Sequence, residues 1–132
     1  ILSAINIGKL KKLDELEELC DLAVRGLEEL IDYQGYPVLA AERSTKQRRS
    51  LGIGFIGLAH YLAKQGFKYG DPNALNEVHT ITEAFQYYLL QSSNNIAKEK
   101  GFVKPGDLII NLASMPAEAR GMVNTLRVSE IE

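Results

Sequence analysis

The 132 residues contain only one cysteine, Cys20, and two histidines, His60 and His79. A lone cysteine excludes an internal disulfide and any cysteine-based metal cluster within one chain. Two histidines with no third ligand in view make a poor metal set, because zinc sites use three or four protein ligands. Neither sign of charge is in marked excess: 15 basic residues against 17 acidic ones leave a net charge of −2. No general attraction to nucleic acid or to an anionic membrane surface follows from that balance. No apolar run approaches the length of a bilayer span, and no basic segment with an apolar core opens the sequence. A reducing, cytoplasmic setting is the expectation. No complete constellation of nucleophile, base and anion-stabilising donors emerges either, so the residues alone predict no catalytic group, no metal and no cofactor.

What is present is ordinary for a globular domain: 45% hydrophobic and 24% charged residues, enough for one domain with one core. The chain is organised around residues 50–63, SLGIGFIGLAHYLA, which follow a basic run of Arg43, Lys46, Arg48 and Arg49. Gly52, Gly54 and Gly57 match the spacing of a dinucleotide-binding turn, which requires a strand leading in and a helix leading out. The polar residues 47–50 offer no such strand, and no acidic residue follows about 20 positions later at the end of a second strand. The segment is therefore expected to be a closely packed helix, running from a cap at Ser44 or Ser50 to about Gln65 and closed by Gly66. Each interior glycine costs such a helix about 1 kcal/mol relative to alanine, so three of them need a packing reason. The four cations form a candidate anion site if they lie near a helix N-terminus; the plainer alternative is a solvated helix end.

Residues 1–8, ILSAINIG, predict a strand, and a domain seldom opens inside one, so a piece of something larger is expected. Apolar residues at 13, 16, 19, 20, 23, 24, 27, 30 and 31 mark one face of a helix extending to about Asp32. Asp14, Glu15, Glu17 and Glu18 crowd its first turns, where carboxylates favour the helix dipole. Cys20 falls on the apolar side, which predicts a buried, unreactive thiol. Gly35 and Pro37 stop the helix, and residues 38–43 form a short helical piece. Asp71-Pro72 starts a long amphipathic helix that reaches Lys100. Beyond Gly101, a turn at residues 104–107 precedes two strands, 108–113 and 126–131, the first expected at a sheet centre and the second nearer an edge.

Residues 1–101 resemble the large, catalytic subunit of class I ribonucleotide reductase. The resemblance rests on LSAINIG, LDELEELCDLAVRGLEELIDYQGYP, RRSLGIGFIGLAHYLAKQG and EAFQYYLLQSSNNIAKEKG, in that order. It implies an oxidoreductase of deoxyribonucleotide synthesis, serving DNA replication. In that family, radical chemistry uses a finger-loop cysteine at the centre of a barrel, two further redox cysteines, a substrate-binding loop and a tyrosine pair. None of these maps onto this sequence, and Cys20 does not match the redox position that precedes the opening strand. Past Gly101 the resemblance changes. Residues 102–132, with Gly106, Asp107, Asn124, Thr125, Arg127 and Val128, look like the C-terminus of pyruvate kinase. There the loop corresponding to 114–122 borders a sugar-phosphate site in some members, but this loop lacks the small glycine–serine pattern that would cradle a phosphate. The two resemblances meet at residues 97–101, which implies a chimera, natural or engineered.

The expected fold is α+β, a single domain over residues 1–132 with about four helices and a small sheet made of the N-terminal strand and the two C-terminal strands. Three functions remain open. The chain is a segment of a reductase large subunit without catalysis of its own; or an autonomous chimeric domain with no evolved activity; or an anion-binding module using Arg43, Lys46, Arg48 and Arg49. The expected partners are the remainder of a ribonucleotide reductase or a second copy, with neither nucleic acid nor membrane.

Overall fold

The computed structural model describes residues 1–113 and 125–131. The fold class is α+β, with four α-helices and two small sheets among the described residues. The chain divides into two compact units, Ile1–Asn94 and Asn95–Glu132.

In the first unit, β1 (Leu2–Asn6) runs into a 3-10 turn at Ile7–Lys9. Helices α1 (Glu15–Tyr33) and α2 (Leu39–Arg48) then lead to β2 (Gly52–Ile56), followed by α3 (Leu58–Lys64) and α4 (Pro72–Glu99), which continues into the second unit. β1 and β2 are parallel, in a register from Leu2↔Gly52 to Asn6↔Ile56. A parallel pair needs a long crossover between its strands, and α1 and α2 supply it.

The helix expected over residues 44–65 is not formed; its first half is strand β2. Ile53 and Phe55 point to the core on alternate positions, while Gly54 and Ile56 face outward. That two-residue period, carried by a β-branched and an aromatic residue, suits a pleated strand. A helix would have borne the entropic cost of Gly52 and Gly54 in its interior. Gly57, at φ 83°, makes the turn from strand to helix, and its carbonyl accepts the first helical bond of α3 from Tyr61 N at 2.9 Å. Gly66, at φ 81°, ends α3 where a terminal glycine is expected.

The core of this unit is Ile5, Ile7, Leu10, Leu16, Cys20, Tyr61, Leu62, Ala74, Ile81 and Phe85. Phe55 meets Phe85 edge to face, with centroids 5.4 Å apart, which joins β2 to α4. Ser92 of α4 donates to the Asp21 carboxylate of α1 at 2.7 Å. The Lys64 ammonium donates to the carbonyls of Leu10 (2.7 Å) and Gly8 (3.3 Å), so the last turn of α3 satisfies acceptors left by the 3-10 turn. Helix α1 buries Leu16, Cys20, Val24 and Ile31 as its spacing predicts, but also Glu28, and it leaves Leu19 and Leu30 exposed.

In the second unit, β3 (Leu108–Ala113) and β4 (Thr125–Glu130) pair antiparallel, in a register from Leu108↔Glu130 to Ala113↔Thr125. The β1 strand, expected to share a sheet with them, pairs with β2 instead. Among the described residues β3 has β4 as its one neighbour, so it lies at an edge, with Leu108 and Ile110 exposed. The turn before β3 forms as expected: Lys104 N donates to the Asp107 carboxylate at 2.7 Å, and Gly106 takes φ 90°. The loop 114–122 and Asn124 lie outside the described residues.

Candidate functional site

The four cations singled out in the sequence sit on and just after α2, which ends at Arg48. Lys46, Arg48 and Arg49 gather at the C-terminal end of that helix, where the dipole favours positive charge, with Arg43 at mid-helix; none lies at the N-terminus that an anion site would use. Lys46 donates to Glu42 at 2.7 Å and lies over the Tyr36 ring; the Glu42 hydrogen bond raises the ammonium pKa. Arg48 donates to the Ser44 hydroxyl at 3.3 Å. Arg43 is exposed on α2.

Arg49 does something the sequence did not reveal. It takes the left-handed conformation, φ 45° and ψ 42°, that caps α2, and so aims its guanidinium back at α1. There it makes a two-pronged pair with Asp32 (2.8 and 3.1 Å), a hydrogen bond to the Glu28 carbonyl (3.0 Å) and a short ion pair with the Glu28 carboxylate. Hydrogen bonds to Asp32 and then Glu28 push the guanidinium pKa further above its usual value. Glu28 keeps only 8% of its side-chain surface exposed. A fork-shaped cation suits two carboxylates better than an ammonium could. The signal was available: Glu28 stands four residues after Val24 on the core-facing side of α1, and a carboxylate at such a position demands a partner.

At the carboxyl ends of the two parallel strands, Gly8 and Gly57 come into close contact. A Cβ on Gly57 would lie 2.6 Å from Asn6 Oδ1 and 3.0 Å from Gly8 N, and one on Gly8 would lie 3.0 Å from Gly57 O. Of the three motif glycines, Gly57 is therefore the one that a close backbone approach requires. The motif runs through β2 itself, whereas a phosphate-binding turn has its glycines after the strand.

Two other groups, Tyr61 and Asp21, form hydrogen bonds that join α3 and α1 to α4. Tyr61 donates to Glu77 at 2.6 Å, and burial, helped by that bond, pushes its phenol up to about 12, so it stays protonated at neutral pH. The hydrogen bond from Ser92, with Arg25 next, lowers the Asp21 carboxyl pKa. Among the described residues no three His, Cys, Asp or Glu side chains converge as metal ligands, and no buried side-chain nitrogen or oxygen lacks a hydrogen-bond partner. Also among them, no helix is long and apolar enough to cross a membrane.

Cys20 is fully buried, and burial raises its thiol pKa from the usual 9.0 to about 11. Iodoacetamide at pH 8 is expected to label the folded chain at least about a hundredfold more slowly than the urea-unfolded one. Because the folded pKa is the higher, this group's contribution to stability is complete below about pH 9 and is lost as the pH rises through 11. Urea midpoints measured from pH 8 to 11 in the chain and in Cys20→Ala check this, since the variant loses that component of the pH dependence.

Residues 1–106 match the family model described as ribonucleotide reductase, barrel domain. The ribonucleoside-diphosphate reductase subunit alpha of Haemophilus influenzae is 61% identical over 100 residues, 76% of this chain and 13% of that protein. The same subunit of Buchnera aphidicola from Acyrthosiphon pisum is 57% identical over the same shares. That of phage T4 is 46% identical over 88 residues, 67% of this chain and 11% of its own length. The chain thus spans about an eighth of the length of the relatives it matches. With four fifths of its residues inside the family model, the chain belongs to the ribonucleotide reductase family, in the barrel domain of the large subunit.

Proposed function

We propose that residues 1–101 act as a wall of the barrel in a ribonucleoside-diphosphate reductase large subunit, and that catalysis requires the remainder of that subunit. The observation that carries this reading is the parallel pair β1–β2, which among the described residues has no further strand beside it. Parallel sheets are normally covered on both faces and flanked by further strands, yet Leu2 is 87% exposed and Ile56 55% exposed. These two strands with their crossover helices have the character of two staves taken from a larger barrel.

The test is a graft. In the Haemophilus influenzae subunit, the aligned 100 residues are replaced by those of this chain, and ribonucleoside-diphosphate reduction is measured. The hybrid is expected to fold and to keep at least about a tenth of the parent's rate, since matched core positions tolerate volume-conserving exchange, while the 132-residue chain alone gives none. An insoluble or inactive hybrid beside an active parent would overturn the reading.

A second reading concerns residues 102–132. The turn at residues 104–107 and the β3–β4 pair lie in the second unit, which begins at Asn95 within α4, and are closed by Gly106 N to Ile131 O at 2.8 Å and Ile131 N to Asp107 O at 2.9 Å. We infer from this local closure that the tail is separable from the first unit, as a pyruvate-kinase-like chimera would require. Deleting residues 102–132 tests it: the urea transition of the first unit should keep its midpoint, and a collapse of that transition would count against a separable tail.

A further inference from the structure

Helix α4 turns an almost uncharged face to solvent. Its core side holds Ile81, Phe85 and Ser92. At about 100° per residue, Glu83, Tyr87, Leu90, Asn94 and Ala97 fall within an arc of about 80° on the opposite side. Residues 84–97 carry no charge, whereas the outer face of a surface helix normally does. Tyr87 is 59% exposed and Leu90 55% exposed. Depletion of charge together with exposed tyrosine marks the middle of a protein interface. The alternating spacing of four and three residues is that of a seam between two helices.

We propose that α4 pairs antiparallel with α4 of a second copy of this chain, about a two-fold axis at Leu90. The charges at the two ends of the seam select that occupant and that register. Glu83, which has no hydrogen-bond or ion-pair partner among the described residues, stands seven residues before the axis, and Ala97 seven after. Each Glu83 therefore falls opposite Ala97 of the second copy, next to Lys98. Seen from Leu90, Glu83 and Lys98 lie on the same side of the seam, at about 20° and 80°, and antiparallel symmetry faces each side to its own copy. The other side, with Gln86 and Ser93, brings no like charges together. In-register parallel pairing would instead oppose Glu83 to Glu83, and an unrelated helix would have to bring a cation of its own. Lys98 also interacts within its own chain, so the two exposed pairs fix direction and register more than strength. About four turns of paired helix make an interface at the low end of specific ones, about 1,200 Å² or less, so the dimer is expected to dissociate on dilution. This inference is independent of the barrel reading.

The test uses the 132-residue chain. Sedimentation equilibrium over about a hundredfold range of concentration is expected to show monomer passing to dimer. Leu90→Arg should weaken that association at least about tenfold, since it places two like charges at the axis. Its urea midpoint in dilute solution should match the parent's, because Leu90 is exposed in the single chain. Leu90→Cys and Leu75→Cys then read the register. Both leucines are exposed on the outer face of α4, and the native Cys20 is buried. Across the axis, the two substituted positions at 90 come within reach of a disulfide, while those at 75 stand about 45 Å apart along the seam. With oxidised glutathione, Leu90→Cys is expected to form an interchain disulfide at least about tenfold faster than Leu75→Cys. A chain that stays monomeric throughout, a dimer indifferent to Leu90→Arg, or equal cross-linking at the two positions would each overturn the proposal.

Discussion

Replacing Arg49 with alanine is expected to lower the unfolding free energy of the chain by about 3 kcal/mol, at the lower end of what breaking a buried ion pair costs. The loss has two sources of unequal size. The pair with Asp32 lies half in solvent, since the Asp32 side chain is 50% exposed, and contributes little. The Glu28 carboxylate is the costly part, because it is buried and loses its ion pair with the Arg49 Nε, while the Glu28 carbonyl loses its bond from the same guanidinium. Backbone conformation provides an internal control. Arg49 adopts φ 45°, where alanine is strained and glycine is not, so Arg49→Gly should be about 1 kcal/mol less damaging than Arg49→Ala. Arg49→Lys retains the charge without the two-pronged geometry and should fall between arginine and alanine. Urea unfolding followed by circular dichroism measures all three. A drop below about 1 kcal/mol for Arg49→Ala, the scale of an exposed ion pair, would mean that the pair does not hold α1 to the approach to β2.

Gly57→Val is the second large effect expected, also about 3 kcal/mol. The left-handed conformation at φ 83° costs an L side chain about 1–2 kcal/mol. The forced separation from Gly8 adds about 1–3 kcal/mol of overpacking. Asn6 can swing its amide away from the new Cβ, but the Gly8 backbone N at 3.0 Å cannot move without shifting the 3-10 turn that Lys64 holds. Adding Asn6→Ala should therefore restore only a minor part of the loss. Gly54→Ala is the matched control on the same strand, where a Cβ meets nothing within 4 Å. It should be neutral or stabilising by up to about 1 kcal/mol. Equal damage at Gly54 and Gly57 would remove the close-approach explanation.

The two positions also mark the limits of the sequence. Helix α1 was legible because its period is long and repeated, and the observed span, Glu15–Tyr33, lies within two residues of the expected one. Strand β4 was legible from its two-residue alternation, β3 from an apolar run set off by the turn at residues 104–107, and the start of α4 from Asp71-Pro72. Strand β2 was not, because residues 51–59 carry no polar side chain, and a short apolar run fits a buried strand as well as a buried helix. The partner of β1 could not be read, since pairing is a long-range matter of which edge is free. Among the candidate cations, four basic residues in seven positions looked alike in sequence. What separates Arg49 from the other three is a positive φ and two carboxylates 17 and 21 residues earlier, neither of which is visible in local composition.

The register of β1 against β2 also sets a timetable. Leu2 stands opposite Gly52, fifty residues later, whereas β3 and β4 close a much shorter loop. A ribosome adding about 5–20 residues per second would leave the first strand waiting roughly 3–10 s for its partner to emerge. Throughout that interval Ile5 and Ile7, both buried in the finished fold, lack the cover of β2 and α3 on a nascent chain, and the 3-10 turn that Ile7 opens lacks the lysine that later satisfies its carbonyls. Slowing translation between codons 7 and 64 should therefore raise chaperone capture of the growing polypeptide, while an equal pause after codon 100 should not.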